Sequence, residues 1–479
     1  MRMDRITEEV WSRSTRFASL AMAMLLVAYT AWYMHRFGDF SNDDLDWFVV
    51  MQHSSFWHFV LMQTDVHYSP LHQVLTWLIY FLGPMNFGVA IAVLISIHIG
   101  TLIYLARSLQ ELKAGQVVGL LVCGYAASGL IIFGLVWWAH AEGRVPYVFL
   151  DICAIFNYLA WLRNDSRKCL LIAAVAFVAA FGFYEKAVLI PLHMLVIGYL
   201  SDEERFRSQL RKAVWPPLLF AVGSAAFIFA YLFFLPPSAR APLPMAIRAD
   251  LEFMKVLWIG LTGLGTEGFH DIPIYGMSYD LAVLLLFGCA ISGVCLWQKR
   301  GTWKVLVGML ALLSLDYFPI ALSNRTVVFG MAPAHNYRFH YEELHIVVLF
   351  VGLWLARIAV ARPSLRYRQA SWLTGVVLLV IYSALNVHNI QQSRRTPLYL
   401  LWCMDHSHGY LKNLREGLAS MQAPPPAFEN NVLPRYLSLF GMTPDTHALL
   451  PLFLPDVRFD DAAHPRNEVT PEGHVVRIP

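Results

Sequence analysis

The sequence predicts an all-α protein that crosses a membrane many times. Three observations carry this reading. Of 479 residues, 57% are hydrophobic and 14% charged, with a mean hydropathy of +0.50, whereas soluble domains are near half apolar and about a quarter charged. The apolar residues fall into runs, and a bilayer span takes about 20 residues. The short segments between alternate runs are basic, as cytoplasmic loops are.

Eleven runs read as spans: 17–34, 86–106, 114–136, 146–162, 169–184, 187–201, 213–235, 278–297, 303–322, 342–361 and 371–389. The fifth and sixth are short, with only Tyr184-Glu185-Lys186 between them. The first lacks a small-residue cleavage site and leads into further spans, so it reads as retained rather than as a signal peptide. With the N-terminus in the cytoplasm, the inner segments hold Arg2, Arg5, Arg13, Arg16; Arg107, Lys113; Arg163, Arg167, Lys168; Arg205, Arg207, Arg211, Lys212; Lys299, Arg300, Lys304; and Arg357, Arg362, Arg366, Arg368. That is 20 of the 36 Lys and Arg, against eight in the outer loops and eight in the tail. The C-terminus then lies outside. The expected organisation is a transmembrane domain over 1–390 and an external segment over 391–479. Cys123, Cys153, Cys169, Cys289, Cys295 and Cys403 lie mostly within apolar runs without CxxC spacing, so neither a zinc site nor a disulfide framework is expected.

Inner loops this short, with no Gly-rich turn opening a helix, leave no room for a cytoplasmic nucleotide site. The polar mass lies in outer loops 35–68, 236–277 and 323–341 and in the tail. In the first loop, Trp47, Phe48, Val50, Met51, Phe56, Trp57, Phe59, Val60 and Leu61 form the apolar side of a surface helix, interrupted by Asp46, Gln52, His53 and His58. Pro70 to Leu82 is apolar but too short to span, and Gly83-Pro84 ends it. Loop 236–277, the fourth outer loop, opens on Pro236-Pro237 and holds a second surface helix over Met245 to Leu261, with Gly263, Gly265 and Gly276 after it. The tail predicts a helix near 405–421, a break at Pro424-Pro425-Pro426 and a short strand near Gly473 to Arg477.

The acidic turn Asn42-Asp43-Asp44-Leu45-Asp46 stands out in so apolar a chain. A carboxylate at a membrane surface can act as a general base, its pKa raised by desolvation and like-charged neighbours. Two of the acids could instead share a divalent cation, or cap a helix from Ser41 or Asn42 with acids in its first turn. Glu185 and Lys186 sit at a hairpin tip, where charge points to function or to an ion pair that keeps the tip wet. In Trp137-Trp138-Ala139-His140-Ala141-Glu142-Gly143-Arg144 the tryptophans read as an aromatic belt, and His140, Glu142 and Arg144 as substrate contacts. Arg325 and Arg338 offer the planar fork that suits phosphate; the plainer alternative for Arg338 is a lipid headgroup or a pair with Glu342 or Glu343. Asp316 lies near the outer end of its span and could face the site, whereas Asp151 reads as a satisfied packing residue.

The acidic motif after the first span, a surface helix, the entry His67-Tyr68-Ser69-Pro70-Leu71 and the Gly83-Pro84-Met85-Asn86-Phe87 stretch before a span resemble the GT-C superfamily over residues 15–345. These are integral membrane glycosyltransferases that use polyprenyl-phosphate sugars, among them protein mannosyltransferases and lipid A aminoarabinose transferases. The resemblance implies that a first-loop aspartate deprotonates an acceptor hydroxyl, which attacks the anomeric carbon with inversion. By position that residue is Asp44, with Asp43 and Asp46 as rivals. It further implies cations to hold the leaving phosphate, with Arg338, Lys186, Arg144 and Arg325 as candidates in that order, and a sugar or acceptor pocket drawing on His67, Tyr68, Glu142, Glu185 and His335. The implied partners are a polyprenyl-phosphate-linked sugar, a glycan, lipid or protein acceptor, and membrane lipids. No nucleic acid is expected, and a divalent cation is left open. The implied setting is a bacterial inner membrane with the active face outside, in cell-envelope glycan or glycoconjugate assembly. The alternatives are a glycan polymerase or ligase, a lipid or sugar transporter, and an inactive scaffold of the same layout.

Overall fold

Apolar helices bundled side by side follow from the composition, because a backbone in lipid must satisfy its own hydrogen bonds. The computed structural model describes residues 2–63, 67–234, 240–263, 301–358, 365–397, 400–421, 427–438, 445–459 and 466–478. The expected span 278–297, Cys289, Cys295, Gly265, Gly276, Pro236-Pro237 and Pro424-Pro425-Pro426 lie outside the described residues.

The chain opens with α1 (Arg2–Phe37), then α2 (Asp43–Gln52), α3 (Phe56–Leu61) and α4 (Pro70–Leu82). Next come α5 (Phe87–Glu111), α6 (Val118–Ala127), α7 (Gly129–Leu135), α8 (Trp138–Asn164) and α9 (Arg167–Phe181). A helical turn over Glu185–Leu189 leads into α10 (Ile190–Ser201), α11 (Glu203–Ser208), α12 (Leu210–Phe234) and α13 (Leu243–Thr262). There follow α14 (Thr302–Leu322), the short α15 (Asn324–Phe329), α16 (Ala332–His335) and α17 (Tyr337–His340), then α18 (Leu344–Ile358) and α19 (Leu365–Arg395). The C-terminal segment holds α20 (Leu400–Ala419), α21 (Thr446–Leu449) and an antiparallel hairpin of β1 (Arg466–Val469) and β2 (Val475–Ile478).

Among the described residues seven helices are long and apolar enough to cross a membrane, or eight if the bent pair α6–α7 counts as one span. The chain is thus an all-α polytopic membrane protein. The expectation of eleven spans meets two differences. At 15 and 12 residues, α9 and α10 are each shorter than a full span, because Gly182 closes α9 early. The run 114–136 bends by 52° at Ser128. Ser128 adopts extended angles and its hydroxyl caps α7 at the Leu130 N–H, while Asn386 of α19 accepts the Gly129 N–H at 2.7 Å.

The outward faces of α1, α12 and α19 are apolar and exposed, including Phe17, Met24, Leu25, Leu219, Phe229, Leu373 and Val377. Lipid is the solvent for such faces. By contrast α8 is buried nearly all round and forms the centre of the bundle. The basic segments meet at one end. There Arg163 pairs with Glu111 at 2.6 Å, Lys304 with Glu203 at 2.6 Å, and Arg357 donates to the carbonyls of Gly301 and Leu200. At the opposite end the surface helices α2–α4 and the C-terminal segment cover the bundle.

Candidate functional site

The site is built at that opposite end, on the first turn of α8. Asn42 turns the chain with a positive φ of 51°, and its backbone N–H donates to the Leu437 carbonyl of the C-terminal segment. No side-chain cap from Asn42 opens α2; instead the Asp44 carboxylate folds back and accepts the Ser41 N–H at 2.8 Å. Its other oxygen accepts the Ala139 N–H at 2.5 Å, one of the four orphan donors at the start of α8. Asp44 therefore joins two helix N-termini and is fully buried. Burial holds its pKa well above the usual aspartate range, reinforced by Glu142 and Asp43 and opposed by the two N–H donors. Asp46 is also buried, and Asp43 is half-buried.

One turn along α8, the Glu142 carboxylate accepts from His72 Nε2 at 2.5 Å and from the Thr76 hydroxyl, both on α4. Pro146 has no N–H to return to the Glu142 carbonyl, so the helix ladder is open here as well. His140 takes a defined tautomer: Nδ1 accepts from Arg144, so Nε2 donates to the Arg338 carbonyl at 3.0 Å. The Trp137 indole donates to the Ser41 carbonyl at 3.2 Å, and its ring lies 4.6 Å from the Arg338 guanidinium.

The four cations expected to hold a phosphate come together although they lie on separate stretches of chain. Arg144, Arg325 and Arg338 lie 5.0, 6.0 and 4.9 Å from the centre of the Phe339 ring. Arg144 and Lys186 share Glu342, and Lys186 also pairs with Glu343. Lys186 is buried, so it does not serve to keep a hairpin tip wet. Glu342 and Glu343 pair with Arg144 and Lys186 rather than with Arg338.

Glu185 accepts from His67 Nδ1 and from the Tyr68 N–H, both at 3.1 Å, and Arg325 donates to His67 Nε2 at 2.7 Å. Burial pushes the Glu185 pKa up, but His67 and the N–H donors outweigh it and the net shift is downward. His335 sits apart from this cluster, bonded at 3.0 Å to Glu252 of α13. Among the described residues no three His, Cys, Asp or Glu side chains converge as a metal centre requires.

A comparison with protein-family models finds no match, and a search of curated proteins finds no significant relative.

Several contributors were not singled out from the sequence. Among them are His72, Thr76 and Phe339. His193 of α10 bridges Asp151 at 2.8 Å and Asp316 at 3.0 Å, and His345 donates to the same Asp151 oxygen at 2.9 Å. Asp151 is thus buried and hydrogen-bonded, within a polar network that also reaches Asp316. A histidine inside an apolar run was the available signal, and His193 and His345 both carried it.

Proposed function

We propose that the chain is a GT-C-type glycosyltransferase with an inverting mechanism. It would transfer a sugar from a polyprenyl-phosphate donor to an acceptor hydroxyl, at the membrane face opposite the basic loops. The observation that carries this reading is the double contact of the first turn of α8. Its Ala139 N–H holds Asp44, while its Trp137 ring and His140 imidazole hold Arg338. Such an arrangement would suit a base for the acceptor near a group of cations for the leaving phosphate. The phosphate leaves as a stable anion, so electrostatic stabilisation is the main requirement and a general acid is dispensable. In this reading Asp44 is the base, with Asp43 and Asp46 as rivals. Arg144, Lys186, Arg325 and Arg338 stabilise the phosphate, and His67, Tyr68, Glu142 and Glu185 line the sugar or acceptor pocket. With N-terminus in and C-terminus out, the active face is periplasmic in a bacterial inner membrane.

The test is sugar transfer from a polyprenyl-phosphate donor by membranes holding Asp43→Asn, Asp44→Asn or Asp46→Asn at matched abundance. The reading expects a loss of at least a hundredfold at the base, in line with the contribution of a positioned general base. Full transfer in all three would sink it.

The buried cluster of Asp151, His193 and Asp316 favours a second reading, a transporter of an anionic lipid or sugar, because ionisable groups inside spans mark transport paths. Liposomes distinguish the two: movement of a lipid-linked sugar across the bilayer with no bond broken supports transport.

A further inference from the structure

We propose that the chain seats the phosphate headgroup of one membrane lipid, apart from the site already described, where α1 ends, α5 begins and the C-terminal segment folds over both. A cavity of about 470 Å³ opens there, lined among others by His35 and Asp39 at the end of α1, Asn86 and Gly88 at the start of α5, and His408 and Arg415 of α20. That volume is in the range of small-ligand sites. The cavity shares none of these residues with the Asp44 and Arg338 cluster, so it stands whether or not the chain transfers sugar.

Arg415 is held there in one orientation. Its Nη1 and Nη2 donate to the two Asp39 oxygens at 2.6 and 2.8 Å, and Nη2 donates also to the Met85 carbonyl at 3.0 Å. Asp39 is buried, and its Oδ1 accepts the Phe40 N–H as well, so this carboxylate is engaged within the protein. A guanidinium has five N–H groups. Those on Arg415 that these bonds leave over have no partner among the described residues. His408 Nδ1 donates to the Gly38 carbonyl at 3.0 Å, which leaves its Nε2 in the same condition. Asn86 accepts the Gly88 N–H through Oδ1 at 3.1 Å and keeps its amide N–H groups. An arginine fork with further N–H donors beside it suits phosphate, and the N-terminus of α5 adds its positive end.

What lies below the cavity assigns this phosphate to a lipid. His35 crowns an exposed strip that runs down α1 through Trp32, Ala28 and Leu25, at the three- and four-residue spacing of one helix face. Gly88 crowns another, down α5 through Ala92, Ile99 and Ile103. The two helices pack against each other, and both are long and apolar enough to span. The cavity therefore sits at headgroup level with an apolar surface beneath it for the acyl chains, in the leaflet opposite the basic loops.

The experiment takes the full chain in dodecyl maltoside, a detergent without phosphate. The probe is phosphatidylglycerol with a diazirine in one acyl chain, and adducts are mapped by mass spectrometry after photolysis. They should concentrate near Leu25 and Ile99, about 15 Å below the cavity by helical rise, and exceed those from a diacylglycerol with the same chain. Asn86→Asp keeps the α5 cap, since Asp accepts an N–H as well as Asn does, and adds a carboxylate at the cavity. It should cut labelling of both strips about tenfold or more, the scale of one like-charge contact near a protein surface. His35→Glu should do the same. The exposed faces of α12 and α19, at Phe229 and Val377, report on folding and should label alike with both lipids and in both variants. Equal labelling of the strips by the diacylglycerol, or no loss in either variant, would overturn the headgroup seat. Displacement of the lipid by an equimolar amount of glycerol phosphate would mark a site for a soluble phosphate and overturn the lipid assignment.

Discussion

On the proposed reading Asp44 would have two jobs that pull in different directions. Its oxygens accept the backbone N–H groups of Ser41, just ahead of α2, and of Ala139 in α8, yet a base must hold an oxygen toward the acceptor. A carboxylate can do both, since its two oxygens offer about four lone-pair directions. Asp44→Ala would leave both N–H groups buried without an acceptor, so we expect a stability loss of about 1–3 kcal/mol, read by thermal unfolding in detergent. Asp43 is half-buried, and Asp43→Asn should leave the unfolding midpoint nearly unchanged. The raised Asp44 pKa has a definite sign. The folded state holds this proton more tightly than the unfolded chain, so its stabilising contribution is complete below the ordinary aspartate value near 3.8 and is lost as pH rises through the raised one. Melting profiles of the native protein and Asp44→Asn should therefore lie closest at low pH and separate as pH rises, the native protein losing stability that the neutral variant keeps.

The helices meet through contacts that leave little tolerance. In α7, a Cβ at Gly134 would run into the Tyr341 ring, just before the Glu342–Glu343 pair. Gly134→Ala should shift this segment and destabilise by about 1–3 kcal/mol, as overpacking does; denaturant unfolding followed by tryptophan emission would measure it. The amphipathic α13 is tied to α16 by Glu252, which His335 and Lys255 hold at a pKa of about 2. Here the sign is reversed. The contribution is present above the ordinary glutamate value of 4.5 and is lost as pH falls toward 2. Protease cleavage within 323–341 should accordingly increase on acidification, and Glu252→Gln should show that sensitivity already at neutral pH.

The molecule has two unlike ends. One gathers the short basic loops, the other the acidic turn, the surface helices and the C-terminal segment. That segment grips the acidic turn through Ser407 on Ser41 at 3.1 Å and the Leu437 carbonyl on the Asn42 N–H at 2.9 Å. It also reaches α1 and α5, where Arg415 pairs with Asp39 at 2.6 Å and donates to the Met85 carbonyl at 3.0 Å. Removing residues 400–479 should abolish sugar transfer while leaving the chain in the membrane, because Asp44 would lose the support behind it. Sidedness can be read from single cysteines on a background with the native ones replaced. A membrane-impermeant maleimide applied to intact spheroplasts should label His53→Cys and spare Lys168→Cys; the reverse would invert the proposed orientation.

How much of the structure is legible in the sequence depends on the range of the physics involved. Hydropathy is local, so most spans and the amphipathic helices α4, α13 and α20 were legible, as was the β2 strand at the end of the tail; the single surface helix expected along Trp47 to Leu61 is instead two, α2 and α3, because Ser55 caps a new helix start. Turn chemistry is local too, and Gly83-Pro84 ended α4 as expected. The bend at Ser128 was not legible, because it depends on Asn386 arriving from α19. The shortness of α9 and α10 was legible, but not its packing partner: α4 lies against Gly182 and its backbone donates to the Gly182 carbonyl. For the site, residue type and membrane side were enough to gather Asp44, Glu142, Arg144, Lys186, Arg325 and Arg338 into one list. Their partners were beyond reach, since Arg144 with Glu342, His72 with Glu142 and Asp151 with His193 join residues far apart in sequence. Composition and periodicity determined that this chain is a helical membrane protein with its polar groups concentrated between certain spans. Only the tertiary structure decided which charges neutralise one another, because in a dry interior a charge is tolerable only beside its counterpart, and proximity there is set by helix packing.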